Sequence, residues 1–258
     1  KIVGCSFTRT AAAVLCGRIT DLPGQNFSTL HSLAYRGLGQ PPIAEVGPLR
    51  KLWNEQPKIP DEWKIGANKA DLEEGIVEES DYGSTLSDYS LYRAGRTGDA
   101  VLWEKVRYFA AAWEDFKSQN GAIDFQDMID LALLELPYCP GDPIAFCVDE
   151  AQDLTPTQWA LVQQWGEAAH YFLVAGDPAQ VLYGWIGARP DELLAPLPAD
   201  QHRLLGRSYR LPSVIQQYAE RWLSGHSGRM MEGIEYAPRA EGGEIRETDD
   251  TWREPLHI

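Results

Sequence analysis

The stretch AFCVDEAQDLTPTQW, residues 145–159, joins an apolar run to a group of polar side chains. Residues 144–148 read as a short buried strand, and Asp149 and Glu150 follow it directly. Burying adjacent carboxylates is costly unless something compensates their charge. These two residues are therefore expected either to cap the next helix or to hold a cation. Thr155 is itself predicted as the N-cap of that helix.

Two extended stretches further along the chain continue this pattern. HYFLVAGD at 170–177 and HRLLGRSYR at 202–210 are predicted as a second and a third strand. A strand, a crossover helix and another strand within about 30 residues favour parallel pairing. Ligands bind at the carboxyl ends of parallel strands, so we expect one edge of the sheet to carry the polar groups. These groups are Asp149, Glu150, Asp177, Gln180, Tyr209 and Arg210.

Strands and helices alternate at both ends of the chain but not in its middle. IVGCSF at 2–7 predicts a strand before a helix through AAAVLCGRI, and NFSTLHSLAYR predicts a second strand-to-helix unit. Helical periodicity over 101–116, closing at Gly121, indicates a mostly helical insertion at 39–117 within an α/β fold. A last helix follows Pro212, with its predicted apolar face at Val214, Ile215, Tyr218, Ala219, Trp222 and Leu223.

Composition and charge exclude several classes of protein. The net charge of −15 over 258 residues argues against a globally basic nucleic-acid binder, although it allows a local basic or aromatic track. No apolar run approaches the roughly 18 residues that cross a bilayer, so no membrane partner is expected. The four cysteines form no CxxC pair and are expected to be reduced thiols of a cytosolic protein. Lys1 is not an initiator methionine, so the N-terminus is expected to be cut from a longer chain.

Six stretches carry a more specific signal because of their order. They are SFTRTAAAVLCGRI at 6–19, STLHSLAYR at 28–36, IDFQDMIDLAL at 123–133, VDEAQD at 148–153, AGDPAQVLYGWIGA at 175–188 and GRSYRLPSVI at 206–215. The first two resemble motifs Ia and Ib of superfamily 1 DNA helicases of the UvrD/Rep/PcrA type. The third resembles the return from the 1B insertion of that family, and the last three resemble motifs II, III and IV.

The resemblance implies the fold and the domain organisation. It implies a RecA-like parallel sheet of the P-loop NTPase fold, flanked by helices. Domain 1A would comprise residues 1–38 and 118–203, and a mostly helical 1B insertion would comprise residues 39–117. Residues 204–258 would begin a second RecA-like domain, 2A.

The same resemblance implies that ATP and Mg²⁺ are the cofactors. Asp149 would serve the Mg²⁺, which prefers hard oxygen ligands. Glu150 would be the catalytic base that polarises the attacking water. Gln152 and Asp153 would tie this site to its neighbours.

Three later residues would complete the nucleotide site by resemblance. Gln180 would sense the γ-phosphate and link it to DNA, and Tyr209 would stack on the adenine. Arg210 would contact the γ-phosphate across the domain cleft, since a guanidinium pairs bidentately with phosphate. Taken alone, Tyr209 reads as a core aromatic and Arg210 as half of a surface salt bridge.

A single DNA strand is the partner that the resemblance implies, together with duplex DNA. Phe7, Tyr183 and Trp185 fall where the family places aromatic side chains that stack on bases. Additional DNA contacts are expected from Thr8, Arg9 and His31. Protein partners stay unassigned, and the family implies a cytoplasmic, nucleoid-associated protein of bacterial or phage-like type.

The largest departure from the family is that no GxxxxGK[ST] phosphate-binding loop occurs in the 258 residues. The chain is therefore expected to be an internal piece of a helicase that alone neither binds ATP tightly nor unwinds DNA. For the whole protein, the first hypothesis is an ATP-dependent translocase and helicase with 3′-to-5′ polarity. A non-catalytic DNA- or protein-binding scaffold and the motor of a helicase–nuclease are the alternatives.

Overall fold

The computed structural model describes residues 1–7, 9–18, 21, 23, 26–66, 85–95, 98–181, 184, 187–189, 193, 201, 203, 205–224 and 237–245. For residues 9, 10 and 222–224 it describes the backbone alone. The chain forms two compact units, Lys1–Ala195 and Pro196–Ile258. The limits of domains 1A, 1B and 2A stay predictions.

A parallel four-stranded sheet forms the centre of the first unit. Its strands are β1 (Ile2–Ser6), β2 (Phe27–Thr29), β3 (Ala145–Asp149) and β4 (Tyr171–Val174), in the spatial order β2-β1-β3-β4. All three pairings are parallel, so every strand ends at the same edge. The predicted α/β fold with a RecA-like parallel sheet is confirmed.

Helices connect these parallel strands and flank the sheet. They are α1 (Arg9–Arg18), α2 (Leu30–Gly37), α6 (Phe125–Glu135) and α7 (Pro156–Ala168). The predicted start of α7 is confirmed, because Thr155 caps it and exchanges hydrogen bonds with Gln158. Trp159, Val162 and Trp165 are buried in the core beneath the sheet, as their helical spacing predicts.

The segment between α2 and α6 builds a second, aromatic core. Its helices are α3 (Gly47–Asn54), α4 (Thr85–Arg93) and α5 (Ala100–Asn120), which confirms a helical character for the described part of the insertion. The buried rings of Trp53 and Trp113 meet edge to face with centroids 4.9 Å apart. Gly121 ends α5 in the left-handed conformation, at φ 56°. Among the described helices, none combines the length and apolar character needed to cross a membrane.

A buried ionic cluster joins the helical insertion to α6. Lys117 and Asp124 are each 2% exposed, and Lys117 Nζ lies 2.7 Å from Asp124 Oδ2 and 2.5 Å from Asp127 Oδ2. The Arg93 guanidinium bonds to Asp127 Oδ1 and Asp130 Oδ2, both at 2.6 Å. Buried charges are tolerated only when they are paired and hydrogen-bonded, so these contacts make α4, α5 and α6 interdependent.

The second unit contains α8 (Ser213–Ser224) and a short pairing at its N-terminal side. Arg207 forms a single parallel bridge with Ala237, so the prediction that 202–210 is a third strand of the sheet is wrong for the described residues. The physical reason is a turn, in which Ser208 Oγ accepts the N–H groups of Arg210 and Leu211 at 3.2 and 2.9 Å.

The predicted apolar face of α8 is also partly wrong. Tyr218 is 58% exposed, whereas the polar residues Ser213 and Gln216 are each 7% exposed. The N–H groups of Ser213 and Val214 bond to the carbonyls of Ala240 and Gly242. These contacts bury the side of the helix that carries Ser213. The helical spacing of the apolar residues does not predict this orientation.

Candidate active site at the carboxyl edge of the sheet

Two carboxylates mark the end of β3. Asp149 is the last residue of the strand, and Glu150 follows in the left-handed conformation at φ 56° and ψ 38°. A non-glycine residue in this region is strained, and such strain concentrates at functional sites. Burial, helped by the adjacent Glu150 charge, raises the pKa of Asp149. A bound cation would offset both the burial of the Asp149 carboxylate and its repulsion by Glu150.

The side chain of Gln152 links the two neighbouring strand ends. It is 1% exposed and lies in the short 3-10 turn Ala151–Asp153. Its Nε2 donates to Glu150 Oε2 at 2.6 Å, and its Oε1 accepts the backbone N–H of Asp177 at 3.0 Å. Because donor and acceptor are both used, the amide fixes the Glu150 carboxylate relative to the chain after β4.

Asp177 extends this connection to Gln180. Its Oδ1 accepts the N–H of Ala179 at 2.9 Å and caps the turn Pro178–Gln180. Its Oδ2 accepts from Gln180 Nε2 at 2.6 Å. Glu150, Gln152, Asp177 and Gln180 therefore form a continuous chain of contacts, which we call the edge network.

Two residues of this region have no predicted role, although the sequence places Asp177 at this edge. Asp177 is the middle of the edge network, and the Gly-Asp pair that ends the predicted second strand is the signal for it. At Gly176 a Cβ atom would lie 2.7 Å from Gln152 Oε1 and 3.2 Å from the Ala151 nitrogen. Only glycine leaves room for the Gln152 amide there, a constraint that no local pattern exposes.

Asp153 is the last residue of the turn that follows Glu150. It is 4% exposed, and its backbone N–H donates to the Glu150 carbonyl at 3.2 Å. The following residue, Leu154, accepts the Arg189 N–H through its carbonyl at 3.1 Å. Two backbone hydrogen bonds therefore stabilise the turn after Glu150.

The ends of β1 and β2 reach the same edge. In the sheet register Ser6 lies between Thr29 and Asp149. Phe7, which follows β1, is half-buried and packs against the main core. The base-stacking role of Phe7 stays a prediction.

His31 lies in the first turn of α2. Its ring meets Phe125 edge to face at 6.1 Å, and burial lowers its pKa to about 4. The imidazole is therefore neutral near pH 7, so a contact with DNA would be a hydrogen bond and not a charge contact. Thr8, Tyr183, Trp185 and the Arg9 side chain lie outside the described residues.

Tyr209 and Arg210 belong to the second unit. Tyr209 is 80% exposed, which excludes a core role, and the Arg207 guanidinium lies 5.6 Å from its ring centroid. Arg210 is exposed, and no carboxylate of the described residues forms an ion pair with it. Both side chains are therefore accessible to a ligand that binds the surface of the second unit.

A second group of carboxylates lies away from this edge. Oxygen atoms of Glu114, Asp124 and Asp127 lie within 4.8 Å of one another, a spacing that suits a metal ion. However, the ammonium of Lys117 pairs with all three, at 2.5 to 2.8 Å. It already supplies the positive charge there, so the carboxyl edge of the sheet is the better candidate for a cation.

Comparison with known proteins shows which family this chain resembles. A family model described as the UvrD/REP helicase N-terminal domain matches residues 1–197. The chain is 30% identical over 127 residues to the ATP-dependent DNA helicase PcrA of Staphylococcus aureus strain Mu50, covering 45% of this chain and 17% of that protein.

Two Rep proteins are similar over longer stretches. The ATP-dependent DNA helicase Rep of Escherichia coli strain K12 is 29% identical over 141 residues, covering 48% of this chain and 21% of Rep. Rep of Salmonella typhimurium strain LT2 is 29% identical over 171 residues, covering 58% and 25%. The matched residues span a quarter or less of these relatives. With its parallel sheet, its acidic strand end and its match to the family model, the chain belongs to the UvrD/Rep/PcrA family of superfamily 1 DNA helicases.

Proposed function

We propose that the complete protein carrying these residues is an ATP-dependent DNA helicase that moves along single-stranded DNA, with 3′-to-5′ polarity. The observation that carries the proposal is the edge network, which connects Glu150 at the end of β3 to Gln180 beyond the end of β4. Parallel α/β sheets bind their ligands at this edge. The relatives that match the chain are named ATP-dependent DNA helicases.

Asp149 is the residue we assign to Mg²⁺. Its carboxylate is a hard oxygen ligand, and burial together with the Glu150 charge raises its pKa, so the site fits a cation. When bound, Mg²⁺ would neutralise charge on the phosphates of ATP. Asp149 would hold and orient that ion at the strand end.

Glu150 is the general base in this proposal. It would accept a proton from the attacking water, a role that requires a fixed carboxylate within hydrogen-bond reach of that water. The 2.6 Å hydrogen bond from Gln152 fixes the Glu150 carboxylate, and the Asp153 N–H stabilises the turn by donating to the Glu150 carbonyl.

Gln180 would couple the nucleotide to DNA. Its contact with Asp177 gives a route by which a change near Glu150 alters the segment after β4. That segment leads to Tyr183 and Trp185, which we propose as base-stacking residues together with Phe7. Thr8, Arg9 and His31 are proposed as backbone contacts of the same strand.

Tyr209 and Arg210 are proposed as nucleotide contacts of the second unit. The exposed Tyr209 ring suits stacking on adenine. The Arg210 guanidinium is exposed and forms no ion pair with the described residues, so it suits the γ-phosphate. The phosphate-cradling loop is not among the 258 residues, so we propose that these residues alone do not hydrolyse ATP.

The test is DNA-stimulated ATP hydrolysis by the complete protein. Glu150→Gln should lower hydrolysis by about 100-fold or more, the range for loss of a general base, while nucleotide binding persists. Glu167→Gln makes the same chemical change on the exposed side of α7 and should leave hydrolysis unchanged. Hydrolysis by Glu150→Gln at the wild-type rate would contradict the role of Glu150.

A non-catalytic DNA- or protein-binding scaffold is the second candidate. In that case the complete protein would bind single-stranded DNA without hydrolysing ATP. DNA affinity measured with and without Mg-ATP separates the two candidates, because only the helicase should respond to the nucleotide.

A further inference from the structure

Ser6 is a buried polar residue that the proposed mechanism leaves unused. It is the last residue of β1 and is 1% exposed. Its Oγ is buried, and within the described part of the chain it has no hydrogen-bond partner. Buried hydroxyl groups are almost always hydrogen-bonded, so this exception needs a physical reason.

The register of the sheet shows which groups surround the Ser6 hydroxyl. Ser6 pairs with Thr29 on one side and Asp149 on the other. Adjacent strands lie about 4.8 Å apart, and residues in register present their side chains to the same face of the sheet. Both neighbours are therefore within reach of a side chain as short as serine.

Asp149 retains more capacity for a further hydrogen bond than Thr29 does. Thr29 Oγ1 caps α2, since it accepts the Ser32 N–H at 3.2 Å and lies 2.9 Å from Ser32 Oγ. An ionised carboxylate has about four acceptor positions. The Asp149 carboxylate uses one of them on the backbone N–H of Glu150.

We propose that Ser6 is a positioning residue for Asp149: its hydroxyl donates a hydrogen bond to the Asp149 carboxylate when Asp149 holds Mg²⁺ and nucleotide. The inference rests on the proposed function and names a residue that the function does not require. Rotation about the single Ser6 side-chain bond makes the contact. Groups that hydrogen-bond to a metal ligand fix its orientation and strengthen metal binding.

The proposal predicts opposite effects on folding and on Mg²⁺ binding. Without ligand, Ser6→Ala removes an unsatisfied buried hydroxyl, so the thermal midpoint should not fall. With ligand, the same variant loses the donor to Asp149. A residue needed only for packing would lower the midpoint and leave the Mg²⁺ response unchanged.

The experiment measures binding of a fluorescent ATP analogue to the complete protein while Mg²⁺ is titrated. Ser6→Ala and Ser6→Cys, which fills the space without a strong donor, should both raise the half-saturating Mg²⁺ concentration about tenfold, typical for the loss of one charge-assisted bond. Thr155→Ala removes a buried hydroxyl that caps α7 and should show the reverse pattern, with a lower thermal midpoint and an unchanged Mg²⁺ response.

The possible results distinguish failure of the Ser6 role from failure of the proposed function. An unchanged Mg²⁺ response in Ser6→Ala, or a wild-type response in Ser6→Cys, overturns the role of Ser6 alone. If the wild-type protein shows no Mg²⁺-dependent nucleotide binding, both the proposed function and this inference are overturned. If binding depends on Mg²⁺ and on Ser6 but Glu150→Gln still hydrolyses ATP, only the role of Glu150 fails.

Discussion

Gln152 Nε2 donates a 2.6 Å hydrogen bond to the carboxylate of Glu150, two residues earlier in the chain. The same amide accepts the N–H of Asp177, 25 residues later. One buried side chain therefore joins the ends of two neighbouring parallel strands. The position of Glu150 consequently depends on the segment after β4, which we assign to DNA.

A change at Gln152 tests whether this donor is needed. Gln152→Glu places a second buried carboxylate beside Glu150 and cannot donate when ionised, so it should destabilise the protein by about 3 kcal/mol. Gln158→Glu is the matched control, because a carboxylate at this capping-box position still accepts the Thr155 N–H. Its cost should be below about 1 kcal/mol by thermal unfolding, and equal costs for the two variants would contradict the prediction.

The space at Gly176 gives a second prediction. In Gly176→Ala the new Cβ meets Gln152 Oε1 and the Ala151 nitrogen, so overpacking should cost about 1–3 kcal/mol. In Gly17→Ala, on α1, the new Cβ meets no atom within 4 Å, and the helix should gain at most about 1 kcal/mol because Gly17 lies near its end. Opposite shifts of the thermal midpoint are expected, and a stabilised Gly176→Ala variant would rule out the close contact.

The ionic cluster predicts a large difference between two lysines. Lys117→Met leaves the buried Asp124 and the half-buried Asp127 with less compensating charge and should cost about 3–5 kcal/mol. Lys51→Met breaks a 3.7 Å pair with Glu55 in which both side chains are more than half exposed, so its effect should stay within about 0.5 kcal/mol. Denaturant unfolding measures both, and a mild Lys117→Met effect would show that α5 and α6 do not depend on the pair.

Glu45 predicts how stability changes with pH. Its carboxylate accepts the Phe125 N–H at 2.7 Å, and burial, reinforced by the Asp124 charge, raises its pKa from 4.5 to about 8. Between these values the folded state holds a proton that the unfolded state has lost. The free energy of unfolding should therefore fall as pH rises towards 8, by at most about 1.4 kcal/mol per pH unit.

The contribution of Glu45 can be isolated with a single variant. Glu45→Gln can still accept the Phe125 N–H but does not titrate, so its unfolding free energy should fall less between pH 6.5 and 8.5. His31 changes the free energy of unfolding mainly below this pH window, because its pKa in the folded protein is about 4. Parallel pH dependences in the wild type and Glu45→Gln would exclude a protonated Glu45 in the folded state.

Local signals in the sequence predicted much of the fold. Thr155 and Pro156 begin α7 through contacts within four residues, and Gly121 ends α5 by its own backbone conformation. Asp149 and Glu150 are recognisable because they are adjacent and directly follow an apolar run. Each of these features depends on a few consecutive residues.

Features that depend on distant contacts were not predictable in the same way. The need for glycine at Gly176 arises from Gln152, which lies on another strand end. The isolation of Ser6 follows from sheet register and burial, neither of which its neighbours in sequence specify. On α8, capping contacts with 240–242 decide which side is buried, and the apolar spacing around Tyr218 therefore misleads.

The edge network is the central claim, and Gln180→Ala in the complete protein tests it most directly. The measurement is the ratio of ATP hydrolysis rates with and without single-stranded DNA. We predict that the variant still binds ATP and DNA but loses the stimulation by DNA, because its contact with Asp177 is gone. Stimulation equal to that of the wild type would contradict the coupling of Glu150 to DNA through Gln152, Asp177 and Gln180.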